Sequence, residues 1–485
     1  MASSSLPAKI GASSDDLPVK KIPGGYGVPF FGPIKDRYSF FYTQGEDEFF
    51  TSRIEKYKST VFRTNMPPGP FIADDPRVIA LEDAVSFQVL FDTSKVEKKN
   101  VFVGTFMPST AFYGGFRPCA YLDPSEPTHA LLKRFFFSLI AKWKTTLIPT
   151  FQSSMAGLFT NIEDNVSKKG EADFNSLNDK ASFEFAFKLF CETSPSDTVL
   201  GSDGPKLVAS WQFFQLHPLI TLGLKFVPNF LEDLVLHTFP FPPWLEKSGY
   251  KKIYKAFYDS MKTILDEAER SGLKRDEACH NLVFLACFNT YGGAKVLFPG
   301  LLKWVGAAGE ALHRRLAQEI RNVVNSEGGV TLSALEKMPL VKSVSYEALR
   351  IEPPVPFQYG KAKEDMVVRS HDAAFEVKKG EMLFGYQPIA TKDPKVFDDP
   401  EEFVPDRFIG DGEKLLKYVY WSNGRETENP TAEDKQCAGK DLVVLMSRLM
   451  LVEFFLRYDT FTCESGKFLL GSSVTIKSLT KASPT

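Results

Sequence analysis

The sequence predicts one mainly α-helical domain with a small β portion over residues 19–485, after a flexible segment at 1–18. Three observations carry this expectation. Helical patterning dominates from about Pro127 to Arg350, strand-like alternation is confined to Met366–Tyr386, and no repeat or long low-complexity linker divides the chain. A chain of 485 residues is long enough for two or three average domains, but length is only a prior.

The N-terminal stretch Met1 to Val19 is rich in Ser and Ala, with Lys9 and Asp15-Asp16. It lacks the ~20 apolar residues that span a bilayer. It is also short and Arg-free for a plastid transit peptide. A cytoplasmic location is expected. Peripheral contact with membranes through Phe226–Leu231 and Phe239–Trp244 stays open, beside ordinary loop packing.

Ile22-Pro-Gly-Gly-Tyr-Gly-Val-Pro29 reads as irregular. In Glu310–Val324, Leu312, Leu316, Ile320 and Val324 recur every four residues and form one apolar helical stripe. Leu340–Arg350 is a second helix, stopped by Pro353-Pro354. Phe375-Glu-Val-Lys-Lys-Gly-Glu-Met-Leu-Phe384 reads as a hairpin around Lys379-Gly380. Asp441–Phe455 is the last helix.

Hydrophobic residues make up 43% and charged residues 24%, as in ordinary globular proteins. A net charge of −2 gives no field for nucleic acid. The six cysteines are scattered, with no CxxC spacing, which fits a reducing compartment. The 44 Phe residues suit a cavity for a long lipid-like ligand as well as a Phe-rich core.

Cys437 stands in a loop bearing Asn423 and Gly424, with Lys435 two residues before it and Gly439 two after. A helix follows. Helix N-termini stabilise a thiolate, so Cys437 is a candidate metal ligand. The alternative is a buried structural cysteine. Glu347 and Arg350 share one helix face; alone, such a pair is a solvated contact worth ~0.2–0.5 kcal/mol. Pro405-Asp-Arg407-Phe408 alone is a turn.

In this order and spacing, the three motifs resemble the cytochrome P450 superfamily. The resemblance implies that fold, with haem b as cofactor and Cys437 as the iron's thiolate ligand. It also implies that Glu347, Arg350 and Arg407 lock together under the haem loop. Oxygen-activating relatives carry an acid beside Thr on the helix over the haem. Here the stretch Asn281–Pro299 has no Asp or Glu after Asn289. Asn289 is neutral and both donates and accepts hydrogen bonds. Gly292-Gly293 permits close backbone approach. The thiolate loop is longer than usual and has Lys435 in place of Arg.

These departures resemble the plant hydroperoxide-metabolising branch, over roughly residues 18–485. Pro67–Phe71, Leu122–Pro127 and Gly385–Pro388 match it too. The branch implies a polyunsaturated fatty-acid hydroperoxide as substrate, with oxygen at position 9 or 13, and no need for dioxygen, NADPH or a redox partner. Lys98, His129, Lys133 and Lys435 resemble its haem propionate contacts. Asn289 and Lys295 resemble its substrate contacts on the distal helix. Phe102 resembles the residue found in its allene oxide synthases, where lyases carry Leu. Dehydration to an allene oxide is therefore expected. The alternatives are hydroperoxide lyase, divinyl ether or epoxyalcohol synthase, and a degenerate haem-binding protein. Intact Cys437, Glu347, Arg350 and Asn289 argue against the last.

Overall fold

The computed structural model describes residues 17–468 and 471–483. Most of the expected flexible segment 1–18 therefore lies outside the described residues. Pro18 is already tied into the fold, its carbonyl accepting a hydrogen bond from the Ala374 N–H.

The helices that build the site are α1 (Pro127–Trp143), α2 (Leu147–Lys169), α3 (Phe174–Cys191) and α4 (Gly204–Leu216). They are followed by α5 (Arg275–Ala308), α6 (Glu310–Glu327), α7 (Pro339–Ile351) and α8 (Lys440–Arg457). Proline opens α1 and α7, where its fixed φ suits a first turn and its missing N–H costs nothing. On α8, Leu449 to Val452 are all buried, so this stretch is enclosed on every side and runs through the core. The stripe Leu312, Leu316 and Ile320 packs α6 inward as expected.

By length and composition α5 would also cross a membrane, but 61% of its apolar stretch is buried within the protein. Its middle is a π-helical stretch, Phe284–Tyr291. Such bulges occur mostly at functional sites.

The β portion is small. β1 (Val61–Asn65), β2 (Arg77–Leu81), β3 (Val96–Glu97), β4 (Phe357–Ala362) and β5 (Met382–Tyr386) form one sheet in the order β1-β2-β5-β4-β3. The expected hairpin at 375–384 needs correction. Both strands and the turn exist, with Gly380 at φ 87°. The strands do not pair with each other, however. Ala374–Val377 pairs with Met366–Arg369, while β5 pairs with β2 and β4. The turn moves the chain from one sheet to another.

Candidate active site

The loop before α8 is tied down from three directions. Cys437 donates its N–H to the Ser422 carbonyl at 3.1 Å, and its own carbonyl accepts from Lys440 at 3.2 Å. Gln436 donates to the Arg425 carbonyl at 2.6 Å. A Cβ on Gly424 would lie 2.5 Å from the Gln436 side chain, so a larger residue there would have to push Gln436 off the Arg425 carbonyl. From α1, Lys133 donates to the Asp434 carbonyl and carboxylate, both at 2.8 Å, and to the Gln436 carbonyl at 2.9 Å. From α7, Tyr346 holds Glu426 at 2.6 Å, and Lys440 caps the Glu426 carbonyl at 2.7 Å. Burial pushes the Cys437 thiol up; the Gly439 N–H and the Lys133 charge act the other way.

Glu347, Arg350 and Arg407 meet as expected. Arg350 grips both carboxylate oxygens of Glu347 at 2.8 Å, and Arg407 reaches the same oxygens at 2.9 and 3.0 Å. Remaining guanidinium protons go to carbonyls, Pro400 and Glu402 for Arg350 and Asp398 and Asp399 for Arg407. This is a satisfied, buried network and not a surface pair. Glu347→Ala would strand two guanidinium groups. It is expected to cost ~3–5 kcal/mol, read as a lower midpoint in urea unfolding. An unchanged midpoint would assign the triad no structural role.

A cavity of about 500 Å³ opens between α5 and the loop. Cys437 lies on one wall, Asn289, Gly292 and Gly293 on another, and no described lining residue is a carboxylate. Asn289 sits within the π-helical stretch. The extra residue in that turn frees backbone carbonyls. Gln212 of α4 satisfies the one at Cys287 (3.1 Å), and Thr290 bonds back to Leu285 (3.0 Å). The Asn289 Oδ1 is buried and has no partner. At Gly293 an added Cβ would meet nothing within 4 Å, so the cavity reaches the backbone itself. Phe102 also lines the cavity, held edge-on by Tyr121 at 5.5 Å and tilted against Phe288 at 5.9 Å.

The electrostatics of one edge call for an anion. Lys98 and Lys435 are buried and, among the described residues, their ammonium groups have no carboxylate partner. Their ammonium groups reach only carbonyls: Tyr359 for Lys98 (2.6 Å), Cys119 and Leu122 for Lys435 (2.8 and 2.5 Å). Burial, then the Lys435 charge, lowers Lys98 to about 7. Burial lowers Lys435 to about 8. His129 is buried and lowered to about 3, by burial and then by Lys435 and Lys133, and its Nδ1 has no partner. Buried cations without anions are costly. A dianionic haem edge fits this set. The three protons of Lys133 go to Asp434 and Gln436, so it clamps the loop before Cys437 while its side chain also lines the cavity. Lys295 lines the cavity but is ion-paired to Asp179 at 2.7 Å.

Gln212, Thr290 and Gln387 are site residues that sequence reasoning missed. Gln387 is buried on the cavity wall with its Oε1 unpaired. Gln387 falls within the matching stretch Gly385–Pro388, but nothing there singles out its side chain; an irregular turn in α5 would have pointed to Gln212 and Thr290.

Residues 310–477 match the family model for cytochrome P450. The chain is 61% identical over 472 residues to "Allene oxide synthase 3" of Solanum lycopersicum, covering 97% of this chain and 96% of that one. It is 55% identical over 472 residues to "Allene oxide synthase, chloroplastic" of Arabidopsis thaliana, covering 97% and 90%. It is 56% identical over 472 residues to "Allene oxide synthase 2" of Oryza sativa subsp. japonica, covering 96% and 97%.

Proposed function

Because the chain belongs to the cytochrome P450 superfamily, within its allene oxide synthase family, we propose that it dehydrates polyunsaturated fatty-acid hydroperoxides to allene oxides. The observation that carries this reading is the neutral distal wall. Asn289 sits on a cavity shared with Cys437, and no described lining residue is a carboxylate that could deliver protons to dioxygen. Such a site suits a substrate that brings its own oxidant.

A thiolate-ligated haem, when bound, supplies homolysis of the peroxide O–O bond and the one-electron oxidation that completes dehydration. Cys437 would hold its iron, and Lys98, His129 and Lys435 its propionates. The unpaired Asn289 amide orients the peroxide by accepting and donating hydrogen bonds. The apolar walls keep water from the carbon radical that follows. Phe102 presents an aromatic face to that radical and holds it until its electron is taken. Lys295 has a carboxylate partner in Asp179, which a substrate carboxylate would have to displace.

Exposed Phe226, Phe230, Phe239 and Trp244, around the helix Asn229–His237, suit peripheral contact with the lipid that carries the substrate. For location, the expected cytoplasm has the plastid as its rival. The Arabidopsis relative is named chloroplastic, while the name of the tomato relative gives no compartment.

Product analysis under argon, with 9- and 13-hydroperoxides and neither NADPH nor reductase, tests the reading. Ketols from allene oxide hydrolysis are expected. Phe102→Leu should shift products toward short-chain aldehydes, because an aliphatic side chain lets the radical rearrange. Mainly aldehydes from the wild type would mean hydroperoxide lyase. An unchanged product ratio in the variant would remove Phe102 from the mechanism.

A further inference from the structure

A line of oxidisable side chains leads from the cavity to the surface. Phe288, on the cavity wall, meets Trp211 with ring centroids 6.4 Å apart. Trp211 is fully buried and stacks on Tyr250 at 5.3 Å. Tyr250 stacks on His280 at 5.7 Å, and His280 on Tyr254 at 4.3 Å. Tyr254 is half-buried at the surface, where its hydroxyl donates to Asp276 at 2.8 Å.

Core packing does not ask for these residue types. Phenylalanine would fill the same space without burying a polar group that must find a partner. Tyrosine and tryptophan are also the side chains most easily oxidised by one electron. A buried tyrosine can give up its electron only if something nearby takes its proton. The Tyr250 hydroxyl lies 2.7 Å from Nδ1 of His280. Burial lowers His280 to about 4, which leaves the ring neutral and able to accept.

We propose that Trp211, Tyr250 and Tyr254 form a one-electron route from a small thiol or enediol reductant at the surface to the reaction cavity, with His280 holding the Tyr250 proton. The route rests on the hydroperoxide chemistry proposed above. There, a bound haem would supply the one-electron steps of peroxide cleavage and of dehydration. If the substrate radical left the cavity first, the site would be one electron short. Trp211 then gives one electron inward; with one solvent proton, the hydroxyl left from the peroxide departs as water. Tyr250 refills Trp211, and its O–H proton moves to Nδ1 of His280. The reductant, itself oxidised by one electron, refills Tyr250 through Tyr254, and the proton returns. Each escaped radical is thus matched by one electron from outside, and the site is restored.

Freeze-quenched electron paramagnetic resonance of the haem-loaded protein, mixed with an aromatic peracid, tests the route. Wild type is expected to show a tyrosyl radical whose signal narrows on ring-deuterated tyrosine labelling. Tyr250→Phe and Trp211→Phe are expected to lose it. With fatty-acid hydroperoxide, both variants should keep the initial rate but complete severalfold fewer turnovers before inactivation. The same radical and turnover number in Tyr250→Phe and wild type would overturn the route. Hydroperoxide rearrangement with no tyrosyl signal in wild type would overturn the route alone. A tyrosyl signal in protein that leaves hydroperoxides unchanged would keep the route and reject the functional reading.

Discussion

Cys437→Ser is expected to abolish turnover and the absorption signature of the reduced carbon monoxide complex, while the fold survives. The substitution changes one atom in a loop fixed by other residues: Lys133, Gln436 and Lys440 each bond to backbone. The far-ultraviolet dichroism should therefore stay as it is. What changes is the donor. A thiolate forms readily at a helix N-terminus and on a metal, and its electron density favours O–O cleavage. A serine hydroxyl stays protonated at the same place and is a poor iron ligand. Full activity in the variant would remove Cys437 from the chemistry and the haem-thiolate assignment with it.

The second large effect is expected at Asn289. Asn289→Ala deletes the amide, with its unpartnered Oδ1, from the cavity shared with Cys437, and Asn289→Gln keeps the amide but moves it by one methylene. Each should lower kcat by ~10²-fold, the usual cost of misplacing a catalytic group. That corresponds to ~2.7 kcal/mol of lost transition-state stabilisation. KM should change far less, because the hydrocarbon chain still fills the same apolar walls. Single-turnover kinetics of peroxide cleavage make the measurement. Unchanged rates in both variants would leave Asn289 a role only in shaping the π-helical turn.

The parts of the site legible in the sequence were those written locally. Glu347 and Arg350 are one helical turn apart, and Cys437 stands directly before its helix. Helix α6 was legible because an apolar residue every fourth position admits no other regular structure. What escaped the sequence depended on partners far along the chain. Lys133 is 301 residues from Asp434, and nothing local to either announces the pair. The hairpin reading failed for the same reason. Lys379-Gly380 fixes a turn, but strand partners are chosen by burial, and β5 finds its place between β2 and β4. The π-helical stretch shares its composition with any apolar helix. Its extra residue shows only in where the carbonyls of Leu285 and Cys287 find donors.

The double tether of the thiolate loop sets an order of assembly. Lys133 joins α1 to Asp434 and Gln436, and Lys435 joins the same loop to the carbonyls of Cys119 and Leu122. Together they close one side of the cavity with bonds between segments some three hundred residues apart. A flat macrocycle has to be in place before this seam shuts, or the seam has to reopen to admit it. Cofactor capture is then a step of chain maturation. The expected result is a yield of active protein that rises with haem supply during synthesis.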